Sequence, residues 1–312
     1  MLKCNAYLIN KIFKSELRQL SIFILNSIRE ILSFLSVSSL FIGGTGFFKT
    51  YIAYLLLAMT PNIYICLAVF LVSFSVYTLD KVADLDKDVA NTPTRARFLK
   101  GRRNLAIVYS SLAYLLSIII IFVGRPLSSS LLLVPMAANI VYGTRLIPGF
   151  PRLKDIPVMK NAIVALSWAI VTILIPVTYQ YQLSLGPSPF LVFLVIYFMF
   201  IKTFIDTVLY DIRDEAGDRI NNVRTIPVLI GLKNTTKVLL ILNSTLILGL
   251  PWFGGLSRFL ILSLIIYGYA YILYFRERRD PLLLDLCVEG EWMLASIFLI
   301  GIMKCLESGL PV

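Results

Sequence analysis

Residues 189–210, PFLVFLVIYFMFIKTFIDTVLY, and residues 211–231, DIRDEAGDRINNVRTIPVLIG, decide the fold between them. The first stretch is apolar over about twenty residues, the length that carries a helix across the hydrocarbon core of a bilayer. The second opens on Asp211, Asp214, Glu215 and Asp218. An apolar run that ends in clustered carboxylates reads as a membrane helix delivering acids to the water interface.

Working outward, further apolar segments occupy residues 31–48, 61–79, 104–124, 127–143, 157–179, 235–252, 257–275 and 291–305. With 189–209 they predict an all-α integral membrane protein, a bundle of about nine transmembrane helices. Segments 127–143 and 291–305 sit at or below the short limit for a span, and residues 31–59 also read as one long, bent element. Composition agrees: the chain is 58% hydrophobic and 15% charged, against about 45–50% and about 25% in soluble domains. The first stretch, MLKCNAYLINKIFKSELRQL, has Leu8, Ile9, Ile12, Phe13, Leu17 and Leu20 at helical spacing among Lys3, Lys11, Lys14 and Arg18. It lacks the clean apolar run and small-residue cleavage site of a signal peptide. An N-terminal amphipathic helix on the membrane surface is the expectation, with residues 1–30 as that cytoplasmic segment and 31–312 as the transmembrane domain.

Basic residues orient the bundle. Of the 29 Lys and Arg, 25 fall on one side of the spans, and only Lys49, Arg125, Arg258 and Lys304 are assigned to the other. The rich side is cytoplasmic, which puts the N-terminus inside the cell membrane. This also accounts for the net charge of +11 without a nucleic-acid partner. Other chemistries drop out. With no histidine there is no imidazole base, no histidine metal ligand and no Ser-His-Asp system. Cys4, Cys66, Cys287 and Cys305 are too far apart for a zinc ribbon or a disulfide framework.

Half of the 18 carboxylates occupy two windows, residues 80–88 and 206–218, each at the cytoplasmic end of a membrane segment. In the first, VYTLDKVADLDKDVANTPTR (76–95), Asp80, Asp84 and Asp88 fall within about 80° of one helix face, and Asp86 points elsewhere. In the second, Asp211, Asp214 and Asp218 fall within about 60° of one another if the helix runs past Gly217. Lys202 and Asp206 lie on another face, at the spacing of a pair with each other. Stacked like charges repel unless a cation joins them. Oxygen ligands without histidine or clustered cysteine suit Mg²⁺ or Ca²⁺, and Mg²⁺ typically binds a few carboxylates together with substrate phosphates. A solvated charge run is the plain alternative for either window alone. Arg95, Arg97, Arg145, Arg152, Lys154, Lys160, Arg213, Arg219 and Arg224 stand ready for phosphates, though positive-inside bias alone would place any one of them.

These residues resemble the UbiA superfamily of intramembrane prenyltransferases. Its members have nine transmembrane helices and two aspartate-rich motifs, NxxxDxxxD and DxxxD (often DxxDxxxD), on cytoplasmic loops after the second and sixth helices. DKVADLDKD at 80–88 is similar to the first motif, with Asp80 in the Asn place, and DIRDEAGD at 211–218 to the second. The following RINNVRTIPVLIG also looks like the family. Arg95-Ala96 stands where many members have Arg-Pro. The resemblance implies catalytic roles for Asp84, Asp88, Asp211, Asp214 and Asp218, with Asp80 joining these five around Mg²⁺. Lys154, Lys160, Arg219, Arg224 and Arg145 are the expected substrate-binding cations.

The implied reaction moves a prenyl group from a prenyl diphosphate to an aromatic or lipid-precursor acceptor, with a tail lying among membrane lipids. The active site would face the cytoplasm. An allylic cation needs π-faces nearby; Phe74, Tyr77, Tyr142, Trp168, Tyr197, Phe200 and Phe204 are candidates, each equally at home in ordinary packing. A terpene cyclase of the same superfamily would use the donor without an acceptor. A cation transporter would carry its acids near mid-bilayer instead. A CDP-alcohol phosphotransferase would show one contiguous DxxDGxxAR–GxxxDxxxD run, which is missing.

Overall fold

The computed structural model describes residues 2–83, 85, 93–143, 153, 156–180 and 186–307. Among the described residues every regular element is helical. The helices are α1 (Leu2–Val37), α2 (Leu40–Leu56), α3 (Ile63–Ala83), α4 (Pro93–Lys100) and α5 (Arg103–Gly124). A broken segment follows, α6 (Pro126–Ser129) and α7 (Val134–Gly143) joined by a 3-10 turn. Then come α8 (Met159–Tyr179), α9 (Pro189–Ile220), α10 (Ile226–Thr245) with a 3-10 extension Leu246–Trp252, and α11 (Gly255–Phe275). The chain closes with α12 (Pro281–Leu284), a π-helical turn Asp285–Glu289, and α13 (Glu291–Glu307).

Every apolar segment expected from the sequence is largely helical, with a break at Ser38 and Ser39 inside 31–48 and a non-helical start at Pro61–Asn62 in 61–79. Among the described residues six helices are long and apolar enough to span a bilayer: α3, α5, α8, α9, α10 with its extension, and α11. Ser21–Val37 and Leu40–Leu56 together would make a seventh, bent by 74°. The corner lies at Ser38 and Ser39, where Ser39 takes a left-handed φ of 65°. Segment 31–48 therefore straddles a corner, and the bent alternative describes it better than one straight span. Pro126–Val141 is apolar but short, and α13 has 17 residues.

The longest clear span is α9. Pro189 starts it with φ already set, and Ser188 caps it by accepting from the Leu191 amide at 3.2 Å. The helix then runs 32 residues through Gly217, a rise of about 48 Å against a hydrocarbon core of about 30 Å. That length exceeds the apolar layer by about 18 Å, enough for the last turns, carrying Asp211, Asp214 and Asp218, to extend beyond it.

Two apolar clusters hold the bundle. One packs Ile205, Val208 and Leu209 of α9 against Leu264, Ile265 and Ile272 of α11 and Trp292 of α13. The other joins Tyr54, Val69, Val72, Ile121, Trp168 and Val171 from α2, α3, α5 and α8. Gly46 lets α2 approach α3 closely, since a Cβ there would collide with Ser73 Oγ. Outward-facing Leu112, Leu115, Ile119 and Phe122 on α5 remain exposed, as a lipid-facing helix requires.

Two expectations about charge are overturned. Lys49, assigned to the external face, is 6% exposed inside the bundle. Its ammonium lies 3.5 Å from Asp206 Oδ2 and donates to Thr203 Oγ1 at 3.2 Å. Lys202 does not pair with Asp206 either. It is fully buried and donates to Glu291 Oε2 at 2.8 Å and the Tyr271 hydroxyl at 2.7 Å. Partners on other helices win because a buried ammonium needs several acceptors at close range, which its own helix does not supply.

Candidate active site

The end of the bundle that carries the acidic windows encloses a cavity of about 270 Å³. Asp211 and Asp214 of α9 line it together with Asp80 of α3 and Lys160 of α8. The two windows, some 130 residues apart in sequence, therefore meet in space. Helix periodicity explains the selection: Asp211 and Asp214, at i and i+3, share a face. Asp218 continues that face on the same helix, past Gly217, but is not part of the cavity wall.

Asp211 is 5% exposed. Asn161 Nδ2 donates to its Oδ2 at 2.8 Å, and Lys160 Nζ lies 3.7 Å from Oδ1. Both come from the first turn of α8, so that helix start is built around this carboxylate. Asp214 is held differently. Its neighbour Arg213 grips it in bidentate fashion, Nε at 2.8 Å and Nη2 at 2.6 Å. The guanidinium lies 4.9 Å from the Tyr210 ring centroid. The Tyr210 hydroxyl donates to Asp285 Oδ1 at 2.7 Å, and Ser36 Oγ donates to the other oxygen of Asp285. A continuous chain, Ser36–Asp285–Tyr210–Arg213–Asp214, thus ties the end of α1 and the π-turn to the second motif. Arg213 Nη1 is buried in the cavity wall and has no hydrogen-bond partner among the described residues.

The other expected cations separate. Arg219 pairs with Glu215 at 2.7 Å, and Arg279 reaches the same carboxylate at 3.0 Å. Arg224 is exposed and outside the cavity wall. Asp84, Asp88, Arg145 and Lys154, and the side chain of Tyr142, lie outside the described residues. Of the aromatic candidates, Tyr77 lines the cavity and stacks on Trp168, with centroids 5.4 Å apart and planes 11° from parallel. Both border a side pocket of about 50 Å³ that shares Asp80 and Val164 with the main cavity. Tyr197 instead donates to Thr245 Oγ1 at 2.6 Å, and Phe200 and Phe204 pack within the apolar core.

The donor set fits a hard cation: the described acids on the wall, Asp80, Asp211, Asp214, Asp285 and Glu289, offer carboxylate oxygens only, and the three cationic side chains there, Lys81, Lys160 and Arg213, offset them only in part. Among the described residues no three Asp, Glu or Cys side chains come together closely enough to hold one ion. Asp84 and Asp88 are outside that set.

Asn161, Tyr210, Asp285, Glu289 and Ser36 line the cavity without having been singled out in the sequence. For Asp285 and Glu289 a signal existed, an acidic i, i+4 pair opening the last apolar segment. Nothing marked Asn161 or Ser36, which matter through the tertiary fold.

The UbiA prenyltransferase family model matches residues 31–283. None of the curated proteins matches the chain by sequence. Several solved structures share the fold. The apo UbiA homolog from Aeropyrum pernix K1 is 16% identical with a TM-score of 0.56, covering 83% of this chain and 98% of that one. A UbiA homolog from Archaeoglobus fulgidus bound to DMAPP and Mg²⁺ is 15% identical at 0.57, covering 86% and 99%. A digeranylgeranylglyceryl phosphate synthase is 16% identical at 0.53, covering 88% and 95%. With its apolar helices and a family match over most of its length, this integral membrane protein belongs to the UbiA prenyltransferase family.

Proposed function

We propose that the protein is a Mg²⁺-dependent intramembrane prenyltransferase that moves a prenyl group from a prenyl diphosphate to an aromatic or lipid-precursor acceptor. The observation that carries this reading is the meeting of Asp80 from the first motif with Asp211 and Asp214 from the second around one cavity. Asp80, Asp84, Asp88, Asp211, Asp214 and Asp218 would hold the metal. When bound, Mg²⁺ supplies Lewis-acid stabilisation for the departing diphosphate.

The chain's own residues do the rest. Lys160 beside Asp211, and Arg213 with its free Nη1, offer donors to the diphosphate; Lys154, Arg145, Arg219 and Arg224 are the further cations assigned to it. Tyr77 and Trp168 present stacked π-faces next to the site, suited to a developing allylic cation. Support for the donor class comes from the fold neighbours from Archaeoglobus fulgidus, bound to GPP or DMAPP with Mg²⁺.

In this reading the short segments complete nine spans: the end of α1 from residue 31 together with α2 as the first, Pro126–Gly143 as the fourth and α13 as the ninth. Residues 1–30 form the amphipathic segment at the surface and 31–312 the transmembrane unit. Without Lys202, which is sealed inside the bundle, 24 of the Lys and Arg remain assigned to one side of the spans, which supports a cavity on the cytoplasmic side of the cell membrane.

The test is mass spectrometry of lipids formed by purified protein with Mg²⁺, labelled geranylgeranyl diphosphate and candidate acceptors. A labelled adduct, with diphosphate release that depends on the acceptor, is expected. Cyclic terpenes formed from the donor alone would replace transfer by cyclisation.

A further inference from the structure

We propose that Glu289 is the base that takes the proton given up by the acceptor during prenyl transfer, an assignment that rests on the prenyltransferase reading above. The chemistry requires such a group. The bond between prenyl C1 and the diphosphate oxygen breaks with its electron pair on the diphosphate. A protic nucleophile, a hydroxyl or an electron-rich ring carbon bearing hydrogen, forms the new bond to C1 with its own pair. It then releases one proton.

Among the described residues, the other carboxylates on the cavity wall are poorly placed to receive it. Asp211 is engaged by Asn161 and Lys160, and Asp214 by Arg213. Asp285 accepts from both Tyr210 and Ser36. Asp80 lines the cavity from an exposed position.

Glu289 lines the same cavity at 7% exposure. It ends the π-helical turn Asp285–Glu289, a geometry that recurs at functional sites. Thr45 Oγ1 donates to its backbone carbonyl at 3.2 Å and pins the turn to α2. Behind it lie the Lys49–Asp206 and Lys202–Glu291 pairs. Counted with them, Asp206, Glu289 and Glu291 are three carboxylates against the two ammonium groups of Lys49 and Lys202. Among the described residues the third shares Lys49 with Asp206 rather than having a lysine of its own, and in a low-dielectric interior such a group holds a proton readily.

Glu289 is the one of the three on the cavity wall, although Glu291 borders a separate apolar pocket between α11 and α13. Lys49 of α2, Asp206 and Tyr210 of α9, Tyr271 of α11, and Asp285 and Glu291 beside it in sequence act on it, and Lys81 of α3, Lys160 of α8 and Arg213 of α9 line the same cavity. Burial pushes its carboxyl up to about 7, which Lys49 only partly offsets. A base poised near neutrality exchanges protons most efficiently at working pH.

The experiment uses the full chain in lipid nanodiscs. Donor binding is read by equilibrium dialysis of labelled prenyl diphosphate with Mg²⁺, and acceptor-dependent kcat is followed from about pH 5.5 to about pH 8.5. Glu289→Gln should lower kcat about 100-fold or more and abolish the acidic limb, with donor Kd within about twofold of wild type. Glu289→Asp keeps a carboxylate and should retain the limb at reduced kcat, which guards against a Gln variant that fails to fold. Near-normal kcat in Glu289→Gln, or loss of donor binding in step with kcat, overturns the assignment, as does a Glu289→Asp profile without the limb. A wild-type protein that neither binds nor converts prenyl diphosphate removes the prenyltransferase reading and this inference together. An active wild type with an equally active Glu289→Gln removes only this one.

Discussion

Asp206 and Asp211 sit on the same helix, five residues and about 7.5 Å of rise apart, yet they live in opposite circumstances. Asp206 is 1% exposed and faces a lysine from α2 that is itself buried. A second such pair, Lys202–Glu291, lies beside it with both side chains sealed. Asp211 is almost as buried, but its lysine is half in solvent, 51% exposed, and stands off at 3.7 Å. The deep pairs lock α2, α9 and α13 together by charges that have nowhere else to go. The cavity pair is a loose counter-charge that an incoming cation can displace. Identical side chains thus serve as cross-links or, in the proposed function, as ligands, according to how freely their partners can leave.

The largest expected effect breaks the deep region. Lys202→Met leaves Glu291 buried without its cation and should cost about 3–5 kcal/mol of stability, seen as a large drop in thermal stability in detergent. Lys202→Met with Glu291→Leu should recover most of it, because removing both charges removes the desolvation cost as well. A double variant as unstable as the single would show that the pair does more than neutralise itself.

Next comes the cavity region. Asp211→Asn keeps an amide against Asn161 but withdraws the charge, and turnover should fall about 100-fold, about 2.7 kcal/mol of barrier. Thermal stability should barely move, since Lys160 is free to turn to solvent. Chelation of Mg²⁺ should reduce wild-type turnover at least as far. If Asp211→Asn unfolds the protein as Lys202→Met does, the contrast between the two regions collapses.

The same contrast explains what was legible in the sequence. Spans were visible because lipid demands long apolar runs, and every expected segment is largely helical, 31–48 with a corner inside it. The motif acids were visible because three or four carboxylates in a short window are unusual. The deep pairs were hidden because each uses single charges from distant segments: Lys49 with Asp206, Lys202 with Glu291. Local rules then pointed the wrong way, toward an i, i+4 pair for Lys202 and an external position for Lys49. The chain from Ser36 to Asp214 was hidden for the same reason, since its links come from α1, the π-turn and α9.

That chain supplies a smaller effect. Tyr210→Phe deletes the hydroxyl that donates to Asp285, a hydrogen bond to a charged group worth about 1.5–3 kcal/mol in general. Ser36 still serves Asp285, so stability should fall by the lower end of that range. If the chain positions Arg213 for substrate, KM for the prenyl diphosphate should rise several-fold with kcat less affected. A stability loss with no change in KM would reduce the chain to a brace between α1 and α9.

The smallest effect is expected at Asp80, which stands where the family's first motif has Asn. The residue ends the apolar part of α3, is exposed, and borders both the main cavity and the side pocket beside Trp168. An Asn side chain offers a metal one carbonyl oxygen, or a phosphate an amide N–H. An ionised Asp offers acceptors alone, so its natural partner is a cation. Removing that charge weakens attraction for Mg²⁺, but water around an exposed carboxylate screens the change, in contrast to Asp211. Asp80→Asn should therefore keep the fold and most of the rate and raise the Mg²⁺ concentration for half-maximal turnover by about two- to fivefold. Asp80→Lys adds repulsion to the loss and should raise it further, with kcat falling as well. Titrating Mg²⁺ against turnover in the three proteins decides the matter: an unchanged requirement in Asp80→Asn places this carboxylate outside the reach of the metal, and a requirement that shifts as far as in Asp211→Asn would erase the distinction between screened and buried ligands on which the ordering rests.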